Sequence, residues 1–340
     1  MLIVRPARLE DLDAFCALAE AAGPGFTSLQ VPRTDLEKRL KKSERSFNGA
    51  SVAEPGQVYV LMLEDTKTGE VVGCSAVKAM IGIEDPYFNF RILKVAQKSA
   101  VTNRRYDMDV LVLVNECGGC SEVGTLFVRE DYRGGTGAGR LISQARYMLI
   151  AADRKRFSDT IVAELRGHVE ADGFSPFWEA IGRKFFQMDF SEADQISAQK
   201  DNQFILDLMP KYPIYASLLP EAAQAVIGKT HPKGRGARAL LEQEGFRFMD
   251  VVDIFDAGPL MSAPVHDLRT LKESRLLEVR EDEGQAAAGR VRALVSNDRV
   301  RDFRALHTTV NIHNLGVDIP KDALAALDIQ AGHLARVWHK

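Results

Sequence analysis

A strand-like run at residues 122–128 leads through Arg133 into a cluster of glycines, and a helical pattern begins directly behind them. The cluster reads Arg133, Gly134, Gly135, Thr136, Gly137, Ala138, Gly139, and residues 141–152 continue with the apolar face and length of a helix. Glycines let a backbone approach an oxygen-rich ligand, while the unpaired N–H groups and positive dipole end of a helix start attract negative charge. The succession predicts a phosphate cradle. A Walker A loop is excluded because no Gly-Lys-Ser/Thr comes after it, and a dinucleotide-binding fold would place its glycines in the first strand-to-helix turn, whereas these come after several strands and a hairpin.

The segments around the cradle alternate between the two periodicities. Residues 1–6 read as a strand, and 11–22 as a helix with Leu12, Phe15, Leu18 and Ala19 on one face, closed by Gly23, Pro24 and Gly25. A second helix is expected at 34–47, and strands at 58–64 and 71–79 form a hairpin through Thr66, Lys67, Thr68 and Gly69. Further strands are expected at 111–115 and 161–166, then a loop at 168–175 and a helix from Pro176 to a stop at Gly182. Residues 185–190 read as extended, 236–244 as helix and 249–255 as extended. The order helix, glycine, aromatic, strand thus recurs at 177–190 and 237–255, which suggests two related halves.

From Met261 onward the composition shifts. Charges crowd 272–280, a Gly/Ala-rich stretch at 284–289 reads as an exposed loop, and 291–295 and 301–310 read as short strands. Arg275, Arg280, Arg290 and Arg292 are expected on a solvated face. The shift divides the chain into a core at 1–260, either single or tandem at about 1–190 and 191–260, and a small β-rich subdomain at 261–340.

Composition narrows the function classes. Lys and Arg number 44 against 47 Asp and Glu, so no basic field is present to bind a phosphate backbone, although a small basic pocket is compatible with this balance. Cys117 and Cys120 form a C-x-x-C pair in a Gly-Gly turn, but neither Cys16 nor Cys74 has a neighbouring Cys or His. A tight turn in a reducing compartment is therefore expected, with no metal. The first fifteen residues lack an apolar signal core, and no apolar run reaches the roughly 18 to 20 residues that span a bilayer. A cytoplasmic protein without membrane or nucleic-acid partners is expected.

The opening Ile3, Val4, Arg5, Pro6, Ala7 with Asp11 and Leu12, and the order of elements, resemble the GNAT family of acyl-CoA-dependent N-acyltransferases. That family's loop is usually R/Q-x-x-G-x-G/A. Here the run from Arg133 through Gly137 to Gly139 is one residue longer. Wider segments are similar to the arginine N-succinyltransferase family: Gly25-Phe26-Thr27-Ser28-Leu29, Asp85-Pro86-Tyr87-Phe88-Asn89-Phe90-Arg91, Thr125-Leu126-Phe127, Ala163-Glu164-Leu165-Arg166-Gly167, Ser175-Pro176-Phe177-Trp178, Leu208-Met209-Pro210-Lys211, Ile227-Gly228, His231-Pro232 and Asp253-Ile254-Phe255-Asp256-Ala257-Gly258-Pro259. The match runs in order along nearly the whole chain and weakens after about Pro264.

The resemblance implies an α/β (α+β) fold, a GNAT-like mixed sheet flanked by helices. It further implies transfer of succinyl from succinyl-CoA to the α-amino group of L-arginine, giving N2-succinyl-L-arginine and CoA, the first step of arginine degradation. Succinyl-CoA enters as co-substrate, with no permanently bound cofactor, and a homo- or hetero-oligomer is compatible with the family. Two alternatives stay open: an acyltransferase for ornithine or another amine, and a non-catalytic partner subunit of an active paralogue.

The chemistry asks for a proton carrier near neutral pH, which suits imidazole. His266, His307, His313, His333 and His339 lie far along the chain from the motifs, and His168 is a secondary candidate. His231 matches the family's His-Pro and its proton-donor position. Leu126 matches the residue that binds the acyl-CoA, and its side chain has nothing polar to offer, so the contact expected is through its backbone. Arg133, Gly135, Gly137 and Gly139 are expected to hold the phosphates. Arg91 and Arg166 are candidate cations for the succinyl carboxylate, and Glu164, Asp85 and Asp256 candidate anions for the guanidinium. Tyr87 and Phe88 either wall the pocket or belong to the core.

Overall fold

In β2 (Val58–Asp65) the first six residues are all buried, which happens only where both faces of a sheet are covered. Side chains alternate across a strand. Val58, Val60 and Met62 therefore meet Phe15, Leu18, Leu36 and Leu40 on one face, while Tyr59, Leu61 and Leu63 meet Leu141, Ile142, Ala145 and Met148 on the other. The first set comes from α1 (Leu12–Ala22) and α2 (Arg33–Asn48), the second from α3 (Ala138–Ala152). The apolar run of β2 is thus the middle layer of a helix–sheet–helix sandwich.

The computed structural model describes residues 1–23, 26, 28–170, 173–199, 203–282 and 289–340. Pro24, Gly25 and Thr27 of the first predicted turn and family segment, and residues 284–288 of the predicted exposed loop, lie outside the described residues. The other strands are β1 (Leu2–Pro6), β3 (Glu70–Lys78), β4 (Asn89–Ser99), β5 (Arg104–Val114), β6 (Ser121–Val128), β7 (Thr160–Glu164), β8 (Ile214–Tyr215), β9 (Arg247–Asp253), β10 (Pro259–Pro264), β11 (Arg275–Glu281), β12 (Arg290–Ser296), β13 (Ala305–His313), β14 (Gly316–Ile319) and β15 (Leu334–His339). The remaining helices are α4 (Pro176–Ala180), α5 (Gly182–Phe186), α6 (Phe190–Gln199), α7 (Gln203–Leu208), α8 (Glu221–Val226), α9 (Arg235–Glu244), α10 (Arg269–Glu273) and α11 (Lys321–Leu327). Among the described residues no helix is long and apolar enough to cross a membrane.

The strands form one mixed sheet in the order β12-β15-β11-β14-β13-β1-β2-β3-β6-β7-β10-β9-β4-β5-β8. This is the mixed sheet flanked by helices that the resemblance implies. At one end β12 pairs with β13 as well as with β15, so the last five strands close into a ring around Val279, Val295, Val310 and Val337, plugged by Leu324 and Leu327 of α11. At the other end β4 and β5 pair along eleven residues as a long ribbon, of which only the base is anchored. Phe90 and Leu111 are buried there, while the strand residues beyond Leu93 and before Met108 are exposed apart from the half-exposed Val95 and Ser99.

Two expectations fail around Trp178. Gly182 does not stop a helix but starts α5, and residues 185–190, read as extended, lie in α5, a left-handed turn at Gln187 and the first residue of α6. The aromatic spacing there serves a hub: the Trp178 ring meets Phe186 at 5.4 Å, Phe190 at 6.4 Å and Phe255 at 5.5 Å, and its Nε1–H donates to the Met188 carbonyl at 3.1 Å. Gly182 is required by the same hub, since a Cβ there would sit 2.1 Å from Trp178 Cε3. The recurrence of helix, glycine, aromatic and strand therefore holds only for α9 and β9. Trp178 is fully buried at the centre of this second core. Replacing it in Trp178→Ala should cost about 3–5 kcal/mol of stability, read as a lower midpoint in urea unfolding.

Candidate active site

The parallel strands β6 and β7 pair only at Ser121 with Ile161 and Glu122 with Val162. Beyond that point β6 bends. Thr125 takes a left-handed φ of 53°, uncommon for a branched side chain, and the ladder to β3 slips between Cys74 and Ala76. The ladder between β6 and β7 thus ends, opening a gap beside Leu126 in which backbone polar groups have no strand opposite them. The Leu126 side chain packs half-buried on the main core, as its chemistry suggested.

Because β6 and β7 are parallel, the segments that leave their C-terminal ends lie at the same edge of the gap. After β6 comes the glycine loop. Arg133 Nε donates to the Val128 carbonyl at 2.7 Å and its guanidinium lies 5.2 Å over the Phe127 ring, so this side chain braces the loop. Thr136 Oγ1 donates to the Tyr132 carbonyl at 2.6 Å and accepts from Ala138 N–H at 3.2 Å. Gly134 and Gly137 take φ of 81° and 75°, and a Cβ on Gly134, Gly135, Gly137 or Gly139 would meet nothing within 4 Å. The loop therefore faces open space, with the first N–H groups of α3 behind it.

After β7 comes Arg166, whose carbonyl accepts the His231 N–H at 2.8 Å. That bond brings His231 to the same edge as the glycine loop. His231 caps the 3₁₀ turn Pro232–Gly234, and its Nδ1 accepts the Lys233 N–H at 3.2 Å. An acceptor role at Nδ1 puts the proton of the neutral ring on Nε2. Partial burial, then Arg166, His168 and Lys233, hold the imidazole below its ordinary pKa, with a smaller opposing contribution from the Val169 backbone. His231 is thus a neutral N–H donor at neutral pH.

Backbone crossing fixes the base of this edge. Asp256 Oδ2 accepts Gly167 N–H and its Oδ1 accepts Gly258 N–H, both at 2.7 Å. A Cβ on Gly167 would lie 2.2 Å from the Asp256 carbonyl oxygen, and one on Gly258 would lie 2.1 Å from that of Leu165. Asp256 is a staple between two strands' ends: each oxygen accepts a backbone N–H, and its carboxyl also lies in hydrogen-bond contact with that of Asp253.

The remaining candidates separate by their partners. Glu164, the last residue of β7, is exposed to solvent: its Oε2 accepts from Tyr87 OH at 2.7 Å, and its carboxyl lies in hydrogen-bond contact with that of Asp253. Desolvation first, then the neighbouring charge, raises Asp253 far above the carboxylate range, and burial raises Glu164. Asp253 went unnoticed in the sequence although it stands in a matched segment. The Tyr87 ring packs over the small cluster of Ile81, Cys117, Val162, Val251 and Leu260 while its hydroxyl reaches Glu164, whereas Phe88 packs into the second core. Asp85 is exposed in the loop before β4. Arg91 forms a two-pronged pair with Glu116 and also reaches the Met249 carbonyl at 3.3 Å, so its charge is already matched. Burial drives the Cys117 thiol up to about 12 and raises Cys120 as well, which suits an unreactive turn.

The family described as arginine N-succinyltransferase beta subunit matches residues 2–270. Arginine N-succinyltransferases of Citrobacter koseri and Escherichia coli are each 38% identical to the chain over 338 residues, covering 99% of it and 97% of their own length. A solved structure, subunit AI of the arginine/ornithine succinyltransferase of Pseudomonas aeruginosa, superposes with a TM-score of 0.88 at 32% identity, covering 100% of this chain and 98% of that one. An acyltransferase is thereby defined. The chain belongs to the arginine N-succinyltransferase family.

The staple can be tested on its own. Asp256→Ala leaves two buried N–H groups without an acceptor, at a cost on the order of 1–3 kcal/mol for each. Urea unfolding should show the loss, and an unchanged midpoint would mean that Gly167 and Gly258 have other partners.

Proposed function

We propose that the chain transfers the succinyl group of succinyl-CoA to the α-amino group of L-arginine, giving N2-succinyl-L-arginine and CoA. The observation that carries this is the early end of the β6–β7 ladder, with the glycine loop and His231 at one edge of the gap it leaves. A thioester arm is long, thin and lined with amides, and such a gap offers it unpaired backbone groups along its length. In this reading the loop of Gly135, Gly137 and Gly139 and the start of α3 take the pyrophosphate, braced by Arg133. The backbone at Leu126 meets the pantetheine or the thioester carbonyl.

The attacking nitrogen forms a bond to the thioester carbon, and the carbon–sulfur bond then breaks. His231 offers Nε2–H to the departing sulfur, which lowers the cost of its developing negative charge. The proton lost by the nitrogen restores the thiol. Arg166 is assigned to the succinyl carboxylate because it lies beside His231, which its backbone carbonyl holds. Glu164 is assigned to the cationic end of the amino acid, because it is reachable from solvent and lies two residues before Arg166 along the same chain segment.

Removing the donor in His231→Ala should lower kcat by about 10²- to 10⁴-fold, with the thermal midpoint retained. Near-normal turnover would reduce His231 to a turn cap.

The cradle has a separate test in Gly135→Asp. Its backbone needs no left-handed conformation and its Cβ would meet open space, so the fold should survive while the added charge repels the pyrophosphate. CoA affinity by calorimetry should fall at least tenfold, and an unchanged affinity would place the phosphates elsewhere.

A further inference from the structure

We propose that Glu164 and Asp253 together form the subsite for the substrate's guanidinium, and that in the free protein they share one proton which the bound guanidinium expels. This rests on the arginine reading of the site and adds the second carboxyl, an amide and the proton.

Strand register brings the groups together. Glu164 of β7 stands opposite Leu260 of β10, and Leu260 packs with Val162 and Val251 under Tyr87. Residues two apart on a strand share a face. Asp253 therefore points to the same side as Val251, and so does Asn89, its register partner on β4. Asp253 Oδ1 is held by the N–H groups of Phe255 and Asp256 at 2.7 and 2.8 Å, so the carboxyl cannot swing away from Glu164.

Two carboxyl groups in hydrogen-bond contact retain a proton between them, because both cannot ionise cheaply at that separation. The charged and titratable neighbours do not relieve this. Lys78 is paired with Glu122 and Arg91 with Glu116; Asp256 accepts two backbone N–H groups, and its own carboxyl, in contact with that of Asp253, adds negative charge to the crowding; Tyr87 donates a hydrogen bond to Glu164. Cys117 beneath them stays a thiol.

A second, independent observation points to a ligand rich in donors. Asn89 is 1% exposed, and its Oδ1 has no hydrogen-bond partner among the described residues. A buried acceptor left unpaired is costly. Beside Asp253 it completes a wall of acceptors made of Glu164, Asp253 and Asn89. A guanidinium carries five N–H donors, no acceptor and a charge that does not titrate, which is the complement of that wall. When it docks, both carboxyls become ionised, the guanidinium stays protonated, and one proton leaves to solvent.

The experiment is calorimetric titration of the full chain, saturated with CoA, with L-arginine at pH 7 in two buffers of different ionisation enthalpy. About one proton should be released per arginine bound, and affinity should rise by up to tenfold per pH unit while the pair still holds its proton. Glu164→Gln and Asp253→Asn should abolish the release and raise the KM for arginine at least tenfold, with a smaller effect on kcat. L-Citrulline, whose side chain is neutral, should release no proton.

Binding of arginine to the wild-type chain with no proton release would overturn the proposal without recourse to any variant. So would folded variants that keep the wild-type KM. If the wild-type chain forms succinylarginine in either of those cases, the subsite alone falls. If it releases no thiol from succinyl-CoA in the presence of arginine, the reading of the function falls with it.

Discussion

The geometry of the edge that carries the glycine loop and His231 depends on two neighbouring strands that stop pairing. A parallel ladder normally satisfies both strands to their ends, and here β6 and β7 part after two register pairs. Thr125 is where the cost is taken. Its left-handed backbone and the slip against β3 bend β6 away from β7 while keeping it hydrogen-bonded on its other side. The backbone groups along this edge are left without a strand opposite them, which is the feature that the proposed binding of the thioester arm uses.

The opposite wall is held by tighter means. Gly167, Asp256 and Gly258 allow the ends of β7 and β10 to pass at a distance where no side chain fits, and His231 is hung from Arg166 by a backbone bond. Positions set by backbone contacts move little when side chains repack. An open glycine loop thus shares the edge with an overdetermined wall, which suits a ligand with a long floppy carrier and a small reacting end.

The parts of this arrangement that were legible in the sequence are local ones. The strand, glycines and helix around Arg133 succeed each other without interruption, and the buried run of β2 and the face of α3 show their periods directly. His231, Leu126 and Glu164 were reached through segments resembling a family, not through spacing. The β4–β5 ribbon was read only at its end, since its outer halves are solvated on both faces and carry no alternation of apolar residues. Residues 185–190 misled because aromatics arranged around Trp178 imitate a strand. Asp253 and Asn89 were missed for another reason: the order β7-β10-β9-β4 is not sequential, so no spacing along the chain announces that they meet. Tyr87 and Glu164 are likewise 77 residues apart.

The closed ring of β11 to β15 has a role beyond its own stability. Through β13 it pairs with β1 at Ile3 and Val4, and so covers an edge that would otherwise present open N–H and C=O groups next to a fully apolar layer. Open edges of that kind recruit other chains. The C-terminal segment is therefore a seal on the sheet: a chain shortened before β11 would keep the glycine loop and His231 and lose the cover on β1 that guards against self-association. The last strands made are the ones that close off the first.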